Sequence, residues 1–143
     1  MMLIVDASVM AKWFYPEAYS EQARTLLGQD RLLAAPAHAS AELGQVLARR
    51  VRENLLPLAE MEDALTGLAR SVVMIPLADL HRDAARFALD TGASFYDALY
   101  VAAAGQWNAT LVTADLRLIR SCAASPWARN VVALSDWDKQ SSP

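Results

Sequence analysis

The chain has 143 residues, a length typical of a single domain. Apolar residues make up 55% of it and charged residues 20%, which is enough for a hydrophobic core and excludes a largely disordered, collagen-like or coiled-coil chain. Thirteen Lys and Arg against sixteen Asp and Glu leave a net charge of −3, so any binding of nucleic acid has to be local.

Cysteine content and hydropathy indicate the cellular compartment in which the protein is expected. Cys122 is the only cysteine, which excludes an internal disulfide and a thiolate metal cluster and fits a reducing cytoplasm. The longest uncharged run, 98–114, falls short of the ~20 apolar residues that a bilayer span needs, so we expect no membrane segment. The first residues show neither a basic segment nor a cleavage-site pattern, so we expect no secretory signal.

Short apolar runs and amphipathic stretches alternate along the chain. In order, we predict a strand at 3–5, helices at 7–15 and 17–27, a strand at 32–35, helices at 37–52 and 58–70, a strand at 72–75, helices at 79–89 and 94–107, a strand at 110–113, a helix at 116–120 and a strand at 131–134. This order predicts an α/β fold with a mainly parallel sheet of four to five strands, covered on both faces. We expect one domain over residues 1–135 and a tail over 136–143.

Two of the predicted helices carry patterns that bear on function. The helix at 94–107 opens with Ser94 and Asp97 in the form of a capping box, and its segment 98–104 is apolar on every side, which predicts a central position in the domain. On the helix at 37–52 the apolar residues predict a docking face, and a second stripe is polar. The apolar set is Ala41, Val46, Leu47 and Val51, and the polar stripe is His38, Glu42, Gln45 and Arg49.

Four acidic residues stand where a ligand is expected. In open parallel sheets ligands bind beyond the carboxyl ends of the strands. Asp6 ends the first strand and Asp115 follows the fourth, whereas Glu42 and Asp97 lie on helices that can face them. If the two strands are neighbours, so many carboxylates need a counter-charge, and oxygen ligands favour a hard cation, Mg²⁺ or Mn²⁺, as in phosphodiester hydrolysis.

A plainer interpretation of the same residues stays open. Asp6 and Asp115 can each cap the helix that follows them, and Asp97 can be the capping-box partner of Ser94. Glu42 can be a solvated residue of a helix face. Acidic helix starts are common in α/β folds, so spacing alone does not decide between these interpretations.

Four segments of the chain resemble the signatures of a known family. They are Val5-Asp6-Ala7-Ser8, Ala41-Glu42-Leu43, Ser94-Phe95-Tyr96-Asp97-Ala98-Leu99-Tyr100 and Leu111-Val112-Thr113-Ala114-Asp115. Their order and spacing resemble the PIN-domain family, most closely the VapC-type toxins of toxin–antitoxin pairs, over residues 3 to about 134. The resemblance implies an α/β/α sandwich and a Mg²⁺- or Mn²⁺-dependent endoribonuclease that leaves 5′-phosphate and 3′-hydroxyl ends. It also implies a homodimer and a small inhibitory antitoxin.

The resemblance also implies roles for individual residues. The acidic quartet of the family corresponds to Asp6, Glu42, Asp97 and Asp115, with Asp6 and Asp97 as the principal metal ligands and the other two acting directly or through water. Ser8 and Thr113 match hydroxyl positions that orient the carboxylates. The chain departs from the pattern at Gln45, where many relatives have Asn, which leaves the role of that amide open.

Basic and aromatic residues outside the quartet are weaker candidates. Arg117 and Arg120, one helical turn apart after Asp115, are placed to contact RNA, and Arg49 with its neighbours Arg50 and Arg52 forms a further basic cluster. The aromatic triplet 13–15 is assigned to packing in preference to base stacking. His38 is assigned a structural or surface position.

Two other functions compete with the nuclease. A catalytically silent PIN-like module that binds RNA or protein would keep the fold without turnover. A phosphoacceptor or phosphatase with Asp6 as nucleophile would need a Lys after a late strand, and neither Lys12 nor Lys139 lies there.

Overall fold

The computed structural model describes residues 1–28 and 31–137. Its strands are β1 (Met2–Val5), β2 (Leu32–Pro36), β3 (Val73–Ile75), β4 (Thr110–Thr113) and β5 (Val131–Ala133). Its α-helices are α1 (Ala7–Phe14), α2 (Ser20–Thr25), α3 (Ala39–Arg52), α4 (Leu58–Gly67), α5 (His81–Thr91), α6 (Phe95–Gln106) and α7 (Leu116–Cys122). Short 3₁₀ turns cover 68–70, 77–79, 126–130 and 134–136.

The five strands form one parallel sheet in the order β3-β2-β1-β4-β5. Leu3 pairs with Leu33 on one side of β1, and Ile4 pairs with Leu111 on the other. The chain progresses outward from β1 in both directions, so the strand order reverses between β1 and β4. Ligand sites of such sheets lie beyond the carboxyl ends of the strands at this reversal. The predicted parallel sheet is confirmed, as is the neighbourhood of the first and fourth strands.

The described helices meet the sheet through an almost wholly apolar core. All residues of α6 from Ala98 to Ala104 are buried, which confirms the predicted central position of this helix. Tyr100 and Phe87 are the largest fully buried side chains. Small alanine side chains let α6 approach β1, β2 and β4 closely, because they add little thickness between backbone and sheet.

The bounds of one helix and the buried face of another differ clearly from the sequence prediction. The helix predicted at 17–27 shortens to α2, because Tyr19 adopts a left-handed backbone with φ of 65° just before it. On α3 the buried residues are Ala39, Leu43 and Leu47, so the prediction that Ala41 lies on the docking face is wrong. The i, i+4, i+8 spacing of the buried residues shows that the face is rotated relative to the predicted one.

Trp137 follows the turn at 134–136 and is 5% exposed. The division into a domain over 1–135 and a tail stays a prediction. The remaining residues of the predicted tail, 138–143, lie outside the described part of the chain. Among the described helices, none has the length and hydropathy to cross a bilayer.

Packing of α6 against the 3₁₀ turn at 126–130 depends on a glycine. A Cβ added to Gly105 would lie 2.3 Å from Cζ3 of Trp127, far inside van der Waals contact. We expect Gly105→Ala to lower the free energy of unfolding by about 1–3 kcal/mol, measured by urea denaturation. Gly67→Ala is the control, since a Cβ there meets open space, and it should raise stability by about 0.5–1 kcal/mol. Equal stability of the Gly105 variant and wild type would contradict this packing.

Candidate active site

Asp6 is the most buried of the four acidic candidates, with 5% of its surface exposed. It follows β1 and caps α1, since its Oδ1 accepts a hydrogen bond from the backbone N–H of Val9 at 3.1 Å. Oδ1 also accepts from Ser8 Oγ at 2.5 Å, and Oδ2 accepts from Thr113 Oγ1. Both oxygens of Asp6 are therefore held in fixed directions at the β1/β4 edge.

The two hydroxyls tie Asp6 to the turn after β4. Ser8 Oγ accepts from the backbone N–H of Ala114 at 3.2 Å, and Thr113 Oγ1 accepts from that of Asp115 at 3.0 Å. Each hydroxyl thus donates to a carboxylate and accepts from the backbone, which sets the direction of its hydrogen. The β1–α1 and β4–α7 turns form one hydrogen-bonded unit as a result.

Burial controls the protonation of Asp6. Removal from water disfavours the charged form and raises the pKa of Asp6 from 3.8 to about 6. Hydrogen bonds from Ser8, Thr113 and Val9 oppose this rise, and the charge of Asp115 adds to it. A buried carboxylate at this edge is thus costly to ionise without a neighbouring positive charge.

Asp97 and Asp115 lie at the starts of the helices on the same side of the sheet. Asp115 caps α7, and its Oδ1 accepts from the backbone N–H groups of Arg117 and Leu118 at 2.9 and 3.4 Å. Asp97 stands in the first turn of α6, where its backbone N–H donates to Ser94 Oγ at 3.1 Å. The capping interactions that the plainer interpretation predicts for Asp6 and Asp115 therefore exist, and so does the Ser94 cap of α6.

The environment of Asp97 is acidic. Burial raises the pKa of Asp97, and the charges of Asp115 and Glu42 raise it further, against the lowering effects of the Ser94 hydrogen bond and of Arg117. Electrostatic interactions therefore connect Asp97 with two of the other three candidates, and Asp6 with Asp115. The fold gathers residues that are far apart in the chain into one acidic region.

Glu42 enters this region from α3. Its Oε1 accepts from Tyr100 Oη at 2.9 Å and lies 2.9 Å from His38 Nε2. Burial raises the pKa of Glu42, but the hydrogen bonds from His38 and Tyr100 and the charge interaction with His38 outweigh it, so the pKa lies below its ordinary value. Burial keeps Tyr100 protonated, since it raises the phenol pKa, as do the charges of Glu42 and Asp6. Glu42 is thus held ionised by two donors, and it is not simply solvated.

The four carboxylates share a region without forming a closed cage. Within residues 1–28 and 31–137, no three His, Cys, Asp or Glu side chains lie close enough together to hold one metal ion. In this arrangement Asp6 and Asp115 cap their own helices, and Glu42 binds His38 and Tyr100. A cation that contacts more than two of them needs a side-chain rotation or bridging water.

The remaining polar candidates, Arg117, Arg120, Arg49 and Gln45, lie on exposed surface. Arg117 is 86% exposed and its Nε lies 3.7 Å from Asp115 Oδ1, and Arg120 is exposed on the next turn of α7. Arg49 and Gln45 are exposed on α3.

A groove of about 190 Å³ between α1 and α4 is lined by two residues of the aromatic triplet, Trp13 and Phe14, which pack against the core.

Comparison with known proteins assigns the chain to a family. A family model described as PIN domain matches residues 3–123. Ribonuclease VapC3 of Pyrobaculum aerophilum is 34% identical over 121 residues, which cover 82% of this chain and 92% of that protein. The chain belongs to the PIN domain family.

Solved structures support the PIN fold over nearly the whole chain. The crystal structure of PAE2754 from Pyrobaculum aerophilum has a TM-score of 0.69 at 21% identity and covers 98% of this chain and 94% of its own. A toxin–antitoxin complex from Klebsiella pneumoniae has a TM-score of 0.63 at 14% identity and covers 92% and 97%. At these identities the likeness is one of fold.

The donor set of the PIN site fits a divalent cation. VapC nucleases of the PIN domain family generally depend on a divalent metal ion. In this chain the candidate ligands are carboxylate oxygens, which hard cations prefer. Asp6 is buried beside Asp115, and Asp97 is buried beside Glu42, so their ionised forms are unfavourable without a nearby positive charge. A divalent cation would supply that charge.

Two residues at the PIN site escaped sequence reasoning. Tyr100 reads as a core aromatic in an apolar helix, yet its hydroxyl binds Glu42. His38 reads as a structural or surface residue, yet it lies one helical turn before Glu42 and contacts it. The i, i+4 spacing on the polar stripe of α3 was the available signal for His38, whereas Tyr100 depends on the docking of α6 onto α3.

The raised pKa of Asp6 predicts a pH dependence of stability. Between pH 3.8 and about 6 the folded protein binds this proton more tightly than the unfolded chain, so its stabilising effect is complete below about pH 4 and is lost as pH rises through 6. In EDTA we expect Asp6→Asn to remove this part of the slope and to raise stability at pH 7 by about 1–3 kcal/mol. Thermal unfolding of wild type and of Asp6→Asn from pH 4 to 7 measures the difference in their stabilities. The contributions of groups that titrate in both proteins cancel in this difference. Parallel curves of stability against pH for the two proteins would contradict a raised pKa of the buried Asp6.

Proposed function

We propose that this chain is a divalent-metal-dependent endoribonuclease, the toxin of a VapC-type toxin–antitoxin pair. The proposal is supported by a PIN fold in which Asp115 interacts electrostatically with both Asp6 and Asp97, and Glu42 with Asp97. The 34% identity to Ribonuclease VapC3 over most of both chains supports the choice of RNA as substrate.

The proposed metal ligands are those that the resemblance to the PIN-domain family implies. Asp6 and Asp97 are the principal ligands of Mg²⁺ or Mn²⁺, and Asp115 and Glu42 complete the site directly or through water. Oxygen-only ligation of this kind favours these ions over softer ones. When bound, the cation supplies charge neutralisation and Lewis acidity for phosphodiester hydrolysis.

The chain itself orients the reacting groups. Ser8 and Thr113 hold the two oxygens of Asp6, so that the carboxylate does not rotate when RNA binds. Tyr100 holds Glu42 in its ionised form, which can accept a proton from water or order it by hydrogen bonding. These hydrogen bonds fix Asp6 and Glu42 before substrate arrives, whereas contact of one cation with more than two carboxylates still needs a side-chain rotation or bridging water.

RNA contacts are proposed for the exposed arginines that border the acidic region. Arg117 and Arg120 on α7 and Arg49 on α3 can pair with phosphates on either side of the cleavage point. Unpaired strands and loops expose their phosphates and bases to such a cleft, so single-stranded RNA is the proposed substrate class. The exposed amide of Gln45 is a further polar contact near Glu42.

A small antitoxin protein is the proposed partner. The Klebsiella complex, which shares the fold, pairs a toxin with an antitoxin. In this chain the acidic region is a strong local anionic surface, which suits an inserted Arg or Lys of the partner. We further propose a homodimer, as the family resemblance implies, and a location in the cytoplasm, whose reducing conditions suit the free Cys122.

Removal of one proposed ligand tests the activity. We expect Asp97→Asn to lower cleavage of single-stranded RNA in Mg²⁺ at least about 100-fold, because a metal contribution of several kcal/mol is lost. Glu62→Gln, on the exposed face of α4, removes an equal charge and should leave the rate unchanged. Gel analysis of labelled RNA, with EDTA as a second control, measures the rate and the 5′-phosphate ends. Undiminished cleavage by the Asp97 variant would refute the site.

The same assay separates the nuclease from its alternative. RNA binding by wild type without turnover in Mg²⁺ or Mn²⁺ would indicate the catalytically silent module. The absence of a three-ligand group among the described side chains makes this comparison necessary.

The partner is tested by its footprint. We expect a helix-rich protein, encoded by roughly 70–90 codons directly upstream, to co-purify with this chain and suppress cleavage. Hydrogen exchange of the complex should show protection around Glu42 on α3 and around Asp97 at the start of α6. Protection confined to the opposite edge of the sheet would contradict insertion of a basic residue at the site.

A further inference from the structure

His38 lies where the two helices of the acidic region meet. It follows β2 directly before α3, and its side chain is 9% exposed. The ring packs against that of Tyr100 with centroids 4.8 Å apart, and the ring of Tyr96 lies further off at 6.3 Å. These contacts fix the plane of the imidazole between α3 and the first turn of α6.

The polar contacts of His38 all pass through one nitrogen. Nε2 lies 2.9 Å from Glu42 Oε1 and 3.0 Å from the backbone oxygen of Tyr96. Both partners are acceptors, so Nε2 carries a hydrogen and donates to them. Within the described part of the chain, the buried Nδ1 has no hydrogen-bond partner. The orientation of the ring is therefore set by its tilted packing on Tyr100 and by the contacts of Nε2.

The two acceptors join different parts of the proposed site. Glu42 belongs to α3, whereas Tyr96 is the residue directly before Asp97 on α6. Tyr100, one turn further along α6, donates to the same Oε1 of Glu42. His38 and Tyr100 thus hold the Glu42 carboxylate against the first two turns of the helix that carries Asp97.

We propose that His38 is a positioning residue, which through its Nε2 hydrogen bonds holds Glu42 in register with Asp97 for binding the metal ion and for RNA cleavage. The inference rests on the proposed nuclease function and adds a residue that the acidic quartet does not include. Packing alone does not explain His38, since an apolar side chain of similar volume would fill the space between the helices but donate to neither oxygen, leaving Glu42 Oε1 with Tyr100 alone.

The test compares two replacements of His38. His38→Leu keeps the volume and removes the donor, whereas His38→Gln keeps an N–H at a reach similar to that of Nε2. Groups that hydrogen-bond to metal ligands typically contribute 10–100-fold to metal affinity or activity. We therefore expect His38→Leu to weaken Mn²⁺ binding and to slow RNA cleavage by about that factor, and His38→Gln to stay within about 3-fold of wild type. His81→Gln, at the exposed start of α5, is the matched control and should change neither.

Calorimetric titration with Mn²⁺ measures affinity independently of turnover, and thermal unfolding in EDTA reports on packing. A role through the hydrogen bond predicts loss in the Leu variant and recovery in the Gln variant. Equal losses in both variants that follow a lowered unfolding temperature would show a packing role and would overturn the proposal.

A double substitution tests whether His38 acts through Glu42. In a Glu42→Gln background the charged acceptor is gone, so adding His38→Leu should cost less than about 3-fold more in Mn²⁺ affinity and rate. Full additivity of the two losses would overturn the proposal, because it would place the effect of His38 elsewhere.

Failure of this inference is distinct from failure of the proposed function. If wild type binds Mn²⁺ and cleaves RNA while His38→Leu matches it in both, the positioning role is overturned and the nuclease stands. If wild type neither binds Mn²⁺ nor cleaves RNA, the proposed function is overturned and the role of His38 with it.

Discussion

A carboxylate buried at the carboxyl edge of the central strand is the constraint on which the site depends. Asp6 is nearly inaccessible to water, and the charge of Asp115 adds to the cost of its ionisation. Asp6 follows β1, which lies between β2 and β4 and packs against α6, so little of its side chain reaches water. The same packing that stabilises the domain therefore makes the ionised form of Asp6 unfavourable unless a positive charge lies nearby.

Hydrogen bonds connect the buried carboxylate of Asp6 to the β1–α1 and β4–α7 turns. Ser8 and Thr113 bind the carboxylate of Asp6 and at the same time accept from the backbone of the β4–α7 turn. Backbone and carboxylate are thus satisfied together, which is necessary for polar groups at this depth. The arrangement makes the position of Asp115 dependent on that of Asp6.

Glu42, which enters the acidic region from α3, differs from Asp6 and Asp97 in its protonation. Glu42 has a lowered pKa because His38 and Tyr100 compensate its burial, whereas the pKa values of Asp6 and Asp97 are raised. Carboxylates in one region thus have different protonation tendencies. Such a division suits a site in which some groups bind a cation and another stays charged to order water.

The sequence by itself determined the elements that carry the site and their order. Short strands ending in polar residues, a helix apolar on every side and the capping residues Asp6, Ser94 and Asp115 are local signals, and the structure contains each of them. The resemblance of four short segments added the family, because their order along the chain is specific even where each motif is weak.

Tertiary structure decided which side chains meet. Contacts of Glu42 with Tyr100 and of Thr113 with Asp6 join residues 58 and 107 positions apart, and no local pattern encodes the docking angle that produces them. The buried face of α3 was likewise set by its packing partners, not by the hydropathy pattern that favoured Ala41. Local hydrogen bonding determines where a helix begins, whereas close packing across the sheet determines which of its faces reaches the site.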